Sequence, residues 1–138
     1  MRLGLALVLG TVALLAAPAW AADPVSQTLA APIDRVWSTT LAVLKQLGWN
    51  TDKVDRSIGW ITTDSRRVDG EDYGVYAKGT RHRLVIQMKA ASADRTTVSI
   101  ERTVFNRERI LWMDKDEPVK TSDVEVEKSV LAAIAKSL

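Results

Sequence analysis

The spacing of apolar residues changes several times along this chain, and each change marks an element. Behind Arg2, apolar residues run almost unbroken from Leu3 to Ala17, and Pro18 ends the run. Ala19-Trp20-Ala21 then places small residues at the two positions a signal peptidase reads. Residues 1–21 are therefore expected to be a secretory signal peptide, cut after Ala21. The run is shorter than the roughly 20 residues a bilayer core requires. The expected address is the periplasm, and residues 22–138 are expected to form one domain.

Val25 to Leu29 alternates as a short strand. Pro32 follows, a residue tolerated in a first helical turn, and Ile33, Val36, Trp37, Thr40, Leu41, Leu44 and Leu47 then recur at helical spacing. Gly48 is the expected stop. Trp49 to Val54 and Ile58 to Asp64 are predicted to pair as a hairpin about Asp55-Arg56-Ser57, with apolar residues on both faces of the second arm. From Ser65 to Gly79 the periodicity dissolves among glycines and acids, which predicts a polar loop.

Two long alternating strands come next. Leu84, Ile86 and Met88 share a face with His82, and Val98, Ile100 and Val104 share one with Arg102. Asn106 to Met113 is predicted to continue as a strand after a kink, followed by a charged loop from Asp114 to Pro118. Ser122 with Glu125 three residues on predicts a capping box at the start of a final helix, which carries Val126, Val130, Ala133 and Ile134. The order β-α-β-β-β-β-β-α predicts an α+β fold in which a curved antiparallel sheet is packed by a long N-terminal helix and a C-terminal helix, as in helix-grip folds.

Composition narrows the chemistry. The 138-residue chain has no cysteine and a formal net charge of +2, with both signs interspersed. An exported domain of this kind must hold itself together by packing, without disulfides or thiolate metal sites. Without a polybasic stripe, nucleic acid is not an expected partner. His82 is the only histidine, which argues against catalytic zinc and favours a structural or solvated side chain. Asp64, Asp69, Glu71 and Asp72 crowd one loop, and Asp69-Gly70-Glu71-Asp72 offers hard oxygens for calcium, but the spacing does not match an EF-hand loop and simple solvation is the better account. No nucleophile-elbow serine and no phosphate-binding glycine loop is present. No catalytic residue, cofactor or metal site is expected.

Tryptophan is the remaining clue, with five in the chain against one phenylalanine. Trp37 falls on the helix stripe and is expected in the core. Trp60 and Trp112 sit on strands with two partly apolar faces, open to either a core role or an exposed patch. Arg107, Arg109 and Lys115 bracket Trp112, a composition common at interface centres. The candidate partner-binding surface joins Trp112, Arg107 and Arg109 with Tyr73 and Tyr76.

Three stretches carry a resemblance: Ala31-Pro32-Ile33-Asp34-Arg35-Val36-Trp37, Leu44-Lys45-Gln46-Leu47-Gly48-Trp49, and Asp55-Arg56-Ser57-Ile58-Gly59-Trp60-Ile61-Thr62-Thr63-Asp64. Together they resemble a single helix-grip domain of the BamC (NlpB/DapX) family of outer-membrane assembly lipoproteins, without that family's lipidation cysteine. The resemblance implies a non-enzymatic periplasmic accessory or adaptor, with another cell-envelope protein as its partner and no direct membrane anchor after cleavage. The other reading is a small apolar-ligand or lipid carrier, its ligand held between helix and sheet.

Overall fold

The computed structural model describes residues 23–138. The expected signal peptide, with its cleavage residues Ala19 and Ala21, lies outside the described residues, as does Ala22. The elements run β1 (Val25–Leu29), α1 (Ile33–Gln46), β2 (Thr51–Asp55), β3 (Trp60–Thr63), β4 (Arg66–Arg67), β5 (Glu71–Asp72), β6 (Tyr76–Ser92), β7 (Arg95–Ile110), β8 (Met113–Val119) and α2 (Glu125–Ser137). The class is α+β, with the strands in one antiparallel open sheet.

The β6–β7 hairpin organises this sheet. It is paired from Tyr76 opposite Ile110 to Ser92 opposite Arg95, with one bulge near the turn. Shorter strands flank it end to end. β1 and β8 share the outer edge of β7, while β3, β4 and β5 line up along β6, and β2 pairs with β3.

Only half of this long ribbon is covered. The alternation in β6 and β7 sends Leu84, Ile86, Met88, Val98 and Ile100 to one side, where all are buried. The apolar stripe of α1 (Val36, Val43 and Leu44) and that of α2 (Val130, Leu131 and Ile134) close over them in one cluster. Burial of each such aliphatic side chain contributes roughly 1.5–3 kcal/mol. The far half of the ribbon, from Tyr76 to Thr80 and Asn106 to Ile110, projects beyond the helices with β5 and β8 at its sides.

Local signals explain the α1 boundaries. The Pro32 carbonyl accepts from the N–H groups of Arg35 and Val36, so the ring's missing donor is never needed. At the other end Gly48 adopts φ 80°, and the Trp49 N–H turns back to the Leu44 carbonyl at 2.8 Å.

Three expectations need correction. Residues 65–79 are not a loop: β4 and β5 hydrogen-bond along β6, and the Asp69 carboxylate accepts from the Thr80 N–H at 2.8 Å. Gly79 permits this close approach, since a Cβ there would lie 2.2 Å from the Asp69 carbonyl oxygen. Next, β7 does not kink at Asn106. It runs straight to Ile110, turns on Leu111-Trp112 alone, and returns as β8 through the stretch expected to be a charged loop. Finally, the capping box does not form. The Asp123 carboxylate takes the Glu125 N–H at 2.9 Å, and Ser122 stays outside the helix.

One ion pair lies inside the packed half. Arg102 of β7 donates through Nε to Glu127 Oε1 of α2 at 3.0 Å and through Nη2 to the Asp123 carbonyl at 3.1 Å. It thereby ties the start of α2 to the sheet. Among the described residues no helix is long and apolar enough to cross a membrane.

Candidate functional site

The free end of the ribbon gathers seven of the exposed large apolar residues. Ile110, Leu111, Trp112 and Met113 occupy the β7–β8 turn, and Tyr73, Val75 and Tyr76 occupy the segment that enters β6. The two groups are adjacent because Tyr76 is the register partner of Ile110. All seven are exposed, and Trp112 most of all, at 83%. An isolated exposed apolar residue needs no explanation, but seven on one projecting tip do.

The turn itself departs from local preference. Two-residue hairpin turns require positive φ, which Asn and Gly supply at low cost. Here Leu111 adopts φ 57°. Holding a leucine there costs on the order of 1 kcal/mol, and the wide exposure of the residue returns nothing in packing.

A collar of paired charges surrounds the tip. Arg109 grips Asp114 with Nε and Nη2, and its Nη1 reaches the Gly74 carbonyl at 3.2 Å and Asp72 at 3.6 Å. Further back, Arg107 holds Asp116 through two bonds of 2.9 and 3.0 Å. The Asp72 carboxyl accepts from the Gly74 N–H, which holds it below the usual carboxylate range, and the Arg109 hydrogen bond does the same for Asp114. Both arginines are raised above their ordinary values, Arg107 chiefly by its hydrogen bond to Asp116 and Arg109 chiefly by its hydrogen bond to Asp114.

Tyr73, Tyr76, Arg109 and Trp112 therefore meet at one end, with Arg107 behind them. The arginines differ from expectation in role. Both brace the hairpin, Arg109 alone anchors the Tyr73–Tyr76 segment through the Gly74 carbonyl, and Asp72, Asp114 and Asp116 balance their charge. Sequence reasoning missed Ile110, Leu111, Met113 and Val75. The signal was present in Arg107-Glu108-Arg109 and Asp114-Lys115-Asp116, which mirror each other in charge about Leu111-Trp112. The three opposed pairs Arg107 with Asp116, Glu108 with Lys115 and Arg109 with Asp114 are each of opposite sign.

The other candidates take structural positions. His82 lies 4.8 Å from the Trp49 ring, and its Nδ1 is 3.3 Å from Arg102 Nη1. A guanidinium only donates, so Nδ1 accepts and the ring proton sits on Nε2. Burial first, then Arg102 and Arg66, lower its pKa to about 4, so the ring is neutral at pH 7. Trp37 and Trp49 are buried. Trp60 is half-buried on the sheet face turned away from the helices, where it lines an open groove of about 490 Å³ with Arg83, Val85, Phe105 and Pro118. Among the described residues, no three His, Asp or Glu side chains form a group able to hold a metal ion. No protein-family model and no characterised protein matches this sequence.

Proposed function

We propose that this protein is a non-enzymatic accessory of the cell envelope, exported to the periplasm, that docks another envelope protein through the tip of its ribbon. The observation that carries this is the exposed cluster around Trp112, held out on a braced hairpin. Its anatomy is that of an interface: an apolar and aromatic centre inside a polar rim. The rim's charges are paired with one another, so the tip offers little net positive charge to an anionic lipid surface, and a protein pocket suits it better. The helix-grip reading of the fold, and the resemblance to BamC-family domains, belong to the same proposal.

Packing favours docking over the carrier reading. A ligand between helix and sheet needs room there, yet Val36, Leu44, Ile86 and Ile134 fill that space and are fully buried. The test is photocrosslinking from a benzoylphenylalanine placed at Met113 in cells that make the protein. A discrete adduct with an envelope protein, lost when Trp112→Ser is added, is the expected result. Adducts with lipid alone would overturn it.

A further inference from the structure

The groove on the outer face of the sheet lies behind the tip, and its lining includes none of the tip's seven exposed apolar residues. We propose that it binds a small amphipathic monoanion, a carboxylate or chemically similar head on a flat apolar body, with the head on Arg83 and the body over Phe105 and Trp60.

Phe105 is only 5% exposed, yet it lies on the sheet face that no helix covers. Two guanidinium groups lie over its ring instead, Arg83 at 5.0 Å and Arg107 at 5.4 Å. Each is attracted to the ring's electron-rich face. The two arginines differ in what else they hold. Arg107 is doubly bonded to Asp116. Arg83 takes part in none of the ion pairs among the described residues, and its Nε–H is buried without an acceptor. A buried donor of a permanently charged group rarely goes unpaired, and where it does a ligand is the natural partner.

The surroundings define that ligand. The groove's volume of about 490 Å³ lies in the range of small-molecule sites. Its apolar lining comes from Trp60, Val85, Phe105 and Pro118, while Thr62 and Thr103 add hydroxyls. Strand register assembles it, setting Thr62 opposite Val85, Arg83 opposite Thr103 and Phe105 opposite Pro118. Asp116 is committed to Arg107, Asp52 and Lys53 add one charge of each sign to the lining, and Arg83 is the lining cation whose buried donor has no acceptor among the described residues. A guanidinium fork matches a planar carboxylate with two parallel bonds. Stacking on Phe105 holds that fork in place before any ligand arrives, which reduces the ordering cost of binding.

Two dyes of nearly the same shape test this: 8-anilinonaphthalene-1-sulfonate, which carries one negative charge, and N-phenyl-1-naphthylamine, which carries none. Fluorescence titration of the wild-type protein is expected to show one saturable site for the anion. That site binds the neutral dye at least about 10-fold more weakly, the loss expected when a charge-assisted contact goes unmade. The planar carboxylate 2-naphthoate displaces the anionic dye. Arg83→Gln weakens the anion about 10-fold and leaves the neutral dye unchanged, whereas Trp112→Ser alters neither. Equal affinity for the two dyes in the wild type overturns the proposal without recourse to any variant. So does anion binding that survives Arg83→Gln but is lost in Trp112→Ser, because the dye would then be reporting the tip.

Discussion

Arg102 and Glu127 form an ion pair almost wholly withdrawn from water, with Nε to Oε1 at 3.0 Å and side-chain exposures of 8% and 0%. The pair crosses from the central strand β7 to α2, so the helix is held by charge as well as by Val130 and Ile134. Glu127 Oε2 has no hydrogen-bond partner among the described residues. The pair therefore carries a desolvation cost that its geometry only partly offsets.

Breaking that pair from one side leaves a buried, uncompensated charge. Glu127→Ala is expected to destabilise the domain by about 3–5 kcal/mol in urea unfolding. Replacing both partners, as Arg102→Met with Glu127→Leu, is expected to cost far less than the sum of the single changes. A double variant as unstable as the two losses added together would show that the charges do not act as a pair.

His82 makes the domain acid-sensitive. Its folded pKa of about 4 lies below the ordinary 6.5, because burial and the neighbouring Arg102 and Arg66 disfavour the protonated ring. Between those two values the unfolded chain binds the proton and the folded one does not, so stability falls as pH drops from 6.5 toward 4. The loss expected from this group, after allowing for solvent screening, is of order 1–2 kcal/mol. Urea unfolding at pH 7.5 and pH 4.5 checks it. The drop between the two is expected to be smaller in His82→Gln, and an equal drop would assign the sensitivity to the carboxylates.

The tip separates stability from docking. Trp112→Ser removes an exposed side chain and is expected to leave stability within about 0.5 kcal/mol of wild type. Leu111→Gly relieves the positive φ and is expected to stabilise the hairpin by up to about 1 kcal/mol. Both changes are expected to abolish the crosslink from Met113. A large loss of stability in Trp112→Ser would mean that the tip packs as core.

The Arg109–Asp114 brace holds the tip in register. Asp114→Lys sets like charges directly across the hairpin. Hydrogen exchange is expected to quicken at the amides of Ile110 and Met113, while the slow amides of Ile86 and Ile100 keep their protection. Unchanged exchange at the tip would show that backbone pairing alone supports it.

Much of the packed half was legible in the sequence. Helical spacing from Ile33 to Leu44 marked α1 and its buried stripe, whereas Leu47, expected on that stripe, caps the helix and is exposed; alternation through Leu84, Ile86 and Met88 marked the covered face of β6. The projecting half was harder to read, because period-two alternation there runs between charges and never exposes an apolar face. Arg107 to Asp116 consequently looked like a strand that decays into a loop. Its meaning lies in the complementarity of the two arms, visible only when they are read against each other. The apolar residues at the turn contradicted the turn chemistry such a hairpin ordinarily uses.

What the sequence determined by itself is local: two amphipathic helices, the alternating strands, and a glycine where α1 stops. These rest on contacts between residues a few positions apart, which periodicity reports directly. Only the tertiary structure decided that Glu127 meets Arg102 across 25 positions, that Trp112 stands in water, and that Arg83, Trp60 and Phe105 line one groove. Each of those facts depends on strand register and on how far the helices reach along the ribbon. Alternation says which residues share a strand face. It does not say which residue of the next strand lies opposite, nor where the covering helices end.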